Sequence, residues 1–202
     1  MYYTIRQYLQ SCIQGFHLIP EERKALLLNL SAYIRQKYIN GQPVSLTFIC
    51  THNSRRSHFG QVAAALAAVY YAIDDVHSYS GGTEATALNQ NALLAMQRIG
   101  LKSESDGSVK NPRYRMQYSM QDHIVCFSKI FDHPDNPHKE FAAIMTCSDA
   151  DENCPFIPGA EIRISTTYED PKKSDGSPQQ DRVYDERLKQ ITTEVLYAFS
   201  LV

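Results

Sequence analysis

Residues 44–72 read VSLTFICTHNSRRSHFGQVAAALAAVYYA. Val44–Cys50 is a near-continuous apolar run of strand length, the pattern of a strand covered on both faces. Residues 51–56 are polar, and Ser57 to about Tyr71 is rich in alanine, the composition of a helix packed closely on its neighbours. A buried strand, a short loop and a helix form the repeating unit of parallel sheets. The loop also carries chemistry. Cys50 ends the strand and Arg56 stands just before the helix, so the backbone N–H groups between them can wrap around a tetrahedral oxyanion at the helix's positive end. That field suits a thiolate nucleophile at Cys50. Arg56 offers a two-pronged grip on two oxygens, and the Ser57 hydroxyl can donate to the thiolate.

Outward from this unit, the chain alternates strands and helices. Val76–Ser80 reads as a short strand broken by Gly81 and Gly82, and Ala85–Ile99 as a helix stopped by Gly100. Residues 102–116 are polar and read as a loop. His123–Ser128 and Phe141–Thr146 read as strands, with the turn-rich FDHPDNPH between them. Ile162–Ser165 reads as a short strand and Asp181–Phe199 as an amphipathic helix. Upstream, 3–15 and 20–39 read as helices, the second with Pro20 at its first position and Gly41 at its end. The organisation expected is a helical extension over residues 1–41 and an α/β catalytic domain over 42–202.

Composition narrows the function. Twenty Lys and Arg against 22 Asp and Glu give a net charge of −2 over 202 residues, without the basic excess of a nucleic-acid binder. No apolar run reaches the ~18 residues of a membrane span. The first residues lack the apolar core of a secretory signal. Five cysteines, an odd number in a chain this long, argue against a disulfide scaffold and for reduced thiols in the cytoplasm.

Two further segments carry candidate chemistry. Cys147 and Cys154 are seven apart across the acidic stretch SDADEN. A structural zinc site needs four ligands, usually with a close Cys pair, so thiol–disulfide exchange fits this pair better. Tyr168-Glu169-Asp170-Pro171 places a carboxylic acid on a loop, where Asp170 can protonate a leaving oxygen. Cys12 and Cys126 read as packing thiols, and His58 as a structural or rim residue. Asp132, His133, Asp135 and His138 read as a solvated loop, as do Asp149, Asp151 and Glu152.

Together these segments resemble the low-molecular-weight protein tyrosine phosphatases and, more closely, the thioredoxin-coupled arsenate reductases of the same fold. FICTHNSRRS (48–57) resembles the nucleophile loop. VHSYSGGTEATALNQNALLAM (76–96) resembles the strand and helix that follow it, and YEDP (168–171) the acid loop. IMTCSDADENCP (144–155) resembles the reductase redox segment, which ordinary phosphatases of this fold lack. The resemblance implies a three-layer α/β sandwich with a four- or five-stranded parallel sheet, plus the N-terminal helical extension. It implies that Thr51, His52, Asn53, Ser54, Arg55, Arg56 and Ser57 surround the oxyanion, that Asn53 holds the loop's shape and that Asp170 is the general acid. In the reductase, Cys147 would attack the Cys50–arsenic adduct, releasing arsenite and leaving a Cys50–Cys147 disulfide. Cys154 would then resolve it, leaving Cys147–Cys154 for thioredoxin or a similar thiol reductant.

This chain departs from the family pattern at several positions. The loop usually has glycine at the position of His52 and often cysteine at that of Arg55. His52 is expected at the mouth, and Arg55 is expected to add positive charge for the anion. Some reductases carry an acidic cation ligand near the position of Gln61, an amide here. Neither a metal nor a cofactor is expected. The 101–140 segment is longer than in compact members. The functions implied are arsenate reduction, phosphomonoester hydrolysis through a phosphocysteine at Cys50 with Tyr168 as a candidate aromatic wall for phosphotyrosine, or oxyanion binding without turnover. No nucleic-acid or membrane partner is expected.

Overall fold

The computed structural model describes residues 1–154 and 156–202. Strands β1 (Val44–Cys50), β2 (Val76–Gly82), β6 (Phe141–Met145) and β7 (Ala160–Ser165) form one parallel sheet in the order β2-β1-β6-β7. The expected sheet of four or five strands therefore has four. The helices are α1 (Tyr3–Ile13), α2 (Glu21–Ile39), α3 (Arg56–Tyr71), α4 (Gln90–Arg98), α5 (Ser148–Asn153) and α6 (Gln180–Phe199). Pro20 caps α2 from outside rather than occupying its first turn.

The central strands are apolar on both faces because both faces are covered. Along β1 and β6, Leu46, Phe48, Ala142 and Ile144 enter the main core, which α1, α2, α3, α4 and α6 complete. The alternate residues Ile49, Phe141, Ala143 and Met145 enter a smaller cluster with Cys50, Cys147, Ala150 and Ile157. The two helical layers are thus unequal, thick on one side and little more than α5 on the other. Helix α3 lies between the sheet and α6, which explains its small residues. Gly60 permits that approach: a Cβ there would fall 2.2 Å from the Phe48 ring.

Helices α1 and α2 are built into the main core through Ile5, Leu9, Leu27, Leu30 and Ile34, and the Ser31 hydroxyl donates to the Ala198 carbonyl at 2.8 Å. No helix among the described residues is long and apolar enough to cross a membrane.

The region after α4 differs from the expectation. Residues 102–116 are not one loop. They contain β3 (Lys102–Ser105) and the start of β4 (Tyr114–Gln117), which pair antiparallel with β5 (His123–Cys126) in a second sheet, ordered β3-β4-β5. His123–Ser128 therefore does not extend the parallel sheet. The acidic stretch after Cys147 is the short helix α5 rather than a loop.

Candidate active site

Cys50 is the last residue of β1 and only 3% exposed. Its Sγ lies 3.1 Å from the Ser57 hydroxyl in the first turn of α3. That hydroxyl already accepts the Asn53 side-chain N–H at 2.8 Å, so its own hydrogen is free to point at the sulfur. The Asn53 amide is fixed in turn, because its Oδ1 accepts the Lys129 backbone N–H at 2.8 Å. Behind it, His58 Nε2 contacts the Asn53 carbonyl at 2.9 Å and His58 Nδ1 contacts the Ser80 hydroxyl at 3.2 Å. A carbonyl only accepts, so the His58 proton sits on Nε2. Burial pushes the His58 pKa down to about 3, and the ring is a neutral structural brace in the core.

The left-handed conformation in this loop belongs to Asn53, with φ of 45°. Asparagine tolerates that region better than most residues, so histidine in place of glycine at position 52 imposes no positive φ here. The His52 ring faces outward, 3.7 Å from Glu84, while its carbonyl accepts the Ser128 and Thr86 hydroxyls at 2.9 and 3.2 Å. The Thr51 carbonyl takes Glu84 N–H at 2.8 Å, and the Ser54 hydroxyl donates to Ala87 O at 2.7 Å. Gly82 lets the β2 end approach: a Cβ there would fall 2.7 Å from both Asn53 N and Thr51 O.

Arg56 is 8% exposed and reaches the acid loop. Its Nη1 donates to the Tyr168 carbonyl at 2.8 Å and its Nη2 to Asp170 Oδ2 at 2.7 Å. Its Nε is buried without a partner among the described residues, leaving a donor for an incoming oxyanion. Asp170 Oδ1 accepts Lys172 N–H at 3.0 Å. Arg55 is not the free positive charge expected. It donates to the Tyr184 hydroxyl at 2.8 Å and to Asp175 at 3.3 Å, and lies 3.9 Å from Asp170. Tyr168 cannot wall a substrate slot. It is 7% exposed in the main core, its hydroxyl donates to Glu194 at 2.8 Å, and the Arg23 guanidinium stacks 4.6 Å from its ring centre.

Cys147 follows β6 and precedes α5, 1% exposed. Its sulfur lies 3.4 Å from the Thr51 hydroxyl. Cys50 and Cys147 are buried in the same small apolar cluster, and half-buried Cys154 packs against it. All are free thiols. Asp151 is not solvated: it pairs with Arg163 at 2.6 Å and accepts the Ser165 hydroxyl. Arg163 also donates to the Cys154 carbonyl at 3.1 Å, so β7 holds the end of α5. Sequence reasoning missed Arg163 because nothing near it marks it as a partner of a segment nine residues earlier.

Cys12 and Cys126 are fully buried away from the site, and burial pushes the Cys126 thiol up to about 12. Gln61 spends its amide on the Ser78 and Val125 carbonyls at 3.3 and 3.2 Å. No cluster of metal-binding side chains occurs among the described residues.

No protein-family model matches the chain. An arsenate reductase of Staphylococcus aureus is 32% identical over 142 residues, 70% of this chain and 88% of that protein. One from Bacillus licheniformis is 28% identical over 156 residues, 77% of this chain and 94% of that protein. Among solved structures, a low-molecular-weight phosphotyrosine phosphatase of Vibrio cholerae superposes with a TM-score of 0.52 at 14% identity, covering 76% of this chain and 93% of that one; this likeness concerns the fold.

Proposed function

The chain belongs to the arsenate reductases built on the low-molecular-weight phosphatase fold, and from that premise we propose that it reduces arsenate through a relay of Cys50, Cys147 and Cys154. The observation that carries this reading is that Cys50 and Cys147 are buried in one apolar cluster beside the oxyanion loop, with Cys154 packed against it.

In the first step the Cys50 thiolate attacks arsenic(V), and an arsenate oxygen leaves as water with the Asp170 proton. Arg56 Nε and the loop N–H groups hold the remaining oxygens. The Ser57 hydroxyl, oriented by Asn53, donates to the thiolate before attack. In the second step the Cys147 thiolate attacks Cys50 Sγ. The sulfur–arsenic electron pair goes to arsenic, which leaves as arsenite(III), and the Cys50–Cys147 disulfide forms. In the third, Cys154 attacks Cys147, which frees the Cys50 thiolate and leaves a Cys147–Cys154 disulfide. An external dithiol of the thioredoxin type reduces that bond. Forming the Cys147–Cys154 bond requires α5 to unwind, since the two cysteines flank its ends. A six-residue helix has little intrinsic stability to oppose this.

A second activity has a specific observation behind it. Asp170 lies beside the loop, 2.7 Å from Arg56, which puts a candidate proton donor next to the oxyanion grip, and phosphomonoester hydrolysis uses neither Cys147 nor Cys154. The test is arsenate-dependent NADPH oxidation with thioredoxin and thioredoxin reductase, run beside p-nitrophenyl phosphate hydrolysis. The reductase reading expects arsenate turnover lost in both Cys147→Ser and Cys154→Ser. No arsenate turnover in a wild-type protein that hydrolyses the aryl phosphate would reassign the chain as a phosphatase.

A further inference from the structure

The two sheets meet edge to edge. Strand β2 is an outer strand of the parallel sheet and β5 an outer strand of the antiparallel one. Their continuations are joined at one end by a parallel bridge between Gly82 and Ile130. Toward the other end they diverge. Asn136 ties the two near the bridge, donating to Ser80 and Phe131, and farther along Gln61 crosses the gap, donating to Ser78 on one edge and Val125 on the other. The divergence leaves a cleft of about 380 Å³.

Lys129 lines this cleft and is 4% exposed. Its backbone is fully used, with N–H to Asn53 and carbonyl to Gly82. Its ammonium forms no hydrogen bond or salt bridge among the described residues, and the charge of Asp135 reaches it only at longer range. It lies over the face of Phe127, 4.5 Å from the ring centre. The guanidinium of Arg113, also in the lining, stacks 3.9 Å from the same ring. The cleft's one carboxylate, Asp135, is spent on Arg113 at 3.0 Å. Of the lining histidines, His77 pairs with Asp75 outside the lining, and His123 faces Arg115 at 3.4 Å. The cleft therefore holds two cations, Lys129 and Arg113, against one carboxylate. Burying an unpaired charge is costly, and burial lowers the Lys129 pKa to about 8.

We propose that the cleft between β2 and β5 is a second binding site, for a small anion whose carboxylate or oxyanion group pairs with Lys129 and Arg113. It is separate from the nucleophile loop. Lys129 also holds Asn53, so occupancy is felt at that loop through a single residue. A carboxylate and a phosphate present the same charge-assisted acceptors to this pair, and the probes below separate them.

The test follows the lysine ε-carbon resonances by NMR in the Arg56→Ala chain, whose nucleophile loop has lost its oxyanion grip. The Lys129 signal is identified by its loss in Lys129→Met. Inorganic phosphate and malonate are titrated separately. The expected result is a saturable rise of the Lys129 pKa by about one unit with at least one probe, weakened in Arg113→Gln. Response to malonate alone marks a carboxylate site, and response to phosphate alone an oxyanion site. A Lys129 signal unmoved by both probes overturns the proposal. If Arg56→Ala does not fold, Arg56→Lys replaces it. The readout is independent of arsenate turnover, so its failure leaves the relay untouched.

Discussion

The nucleophile loop and the redox segment adjoin the same small cluster but are held very differently. In the loop, Asn53, Ser57, His58 and Ser80 form a chain of hydrogen bonds leading to the Cys50 sulfur. The side chains of Asn53, Ser57 and His58 each have fixed partners there. The redox segment is a single short helix whose far end is held mainly by Arg163 and Ser165 of β7. An anion site works by being rigid before the anion arrives. A thiol relay needs its second and third sulfurs to move. The chain assigns rigidity to one segment and loose attachment to the other.

The contrast can be broken at either end. The largest effect is expected from Cys50→Ser, with arsenate turnover reduced by at least ~10⁴-fold and the fold unchanged by circular dichroism. Retained turnover would remove Cys50 from the centre of the account. Asn53→Ala removes the left-handed residue and both fixed amide bonds. Turnover should fall by ~10–100-fold, and stability by about 2–3 kcal/mol in denaturant unfolding. A near-neutral Asn53→Ala would mean the loop is not rigid because of this residue.

Acid sharpens the comparison further. The folded His58 pKa, about 3, lies below its unfolded value of 6.5. The unfolded chain therefore binds more protons between those values, and stability falls as the pH drops from 6.5 toward 3. At pH 5 the loss is on the order of 2 kcal/mol, and His58→Gln should flatten the unfolding midpoint over this window. A slope unchanged by His58→Gln would place the acid sensitivity elsewhere. The smallest effect is expected from Arg163→Met. Removing a partly buried ion pair should cost about 1 kcal/mol or less, with amide exchange faster across 148–153 and phosphate affinity unchanged. Slowed exchange or weakened phosphate binding would show that α5 and the loop are one rigid unit.

The strand–loop–helix at 44–72 was legible because burial on both sides writes a continuous apolar run and close packing writes an alanine-rich helix. The second sheet was not. Its strands KSES and YRMQ are four residues each and largely outside the core, so they carry no apolar pattern to read. Cys50, Cys147 and Cys154 stand out in the sequence through their spacing and the family resemblance, but the residues packed around them do not. Lys129 acts on Asn53 through its backbone, which no side-chain pattern reports. In sequence Arg55 looks like free charge because Tyr184 and Asp175 lie more than a hundred residues away. Tyr168 looks like a wall in sequence because nothing there shows that Arg23 and Glu194 enclose it.

The central claim is that the sulfur of Cys147 takes over from Cys50. The direct measurement is non-reducing peptide mass spectrometry of the reduced Cys154→Ser protein after one equivalent of arsenate. The account predicts a Cys50–Cys147 disulfide formed together with one equivalent of arsenite. Arsenite released with both thiols still free, or Cys50 joined to Cys12 or Cys126 instead, would contradict it.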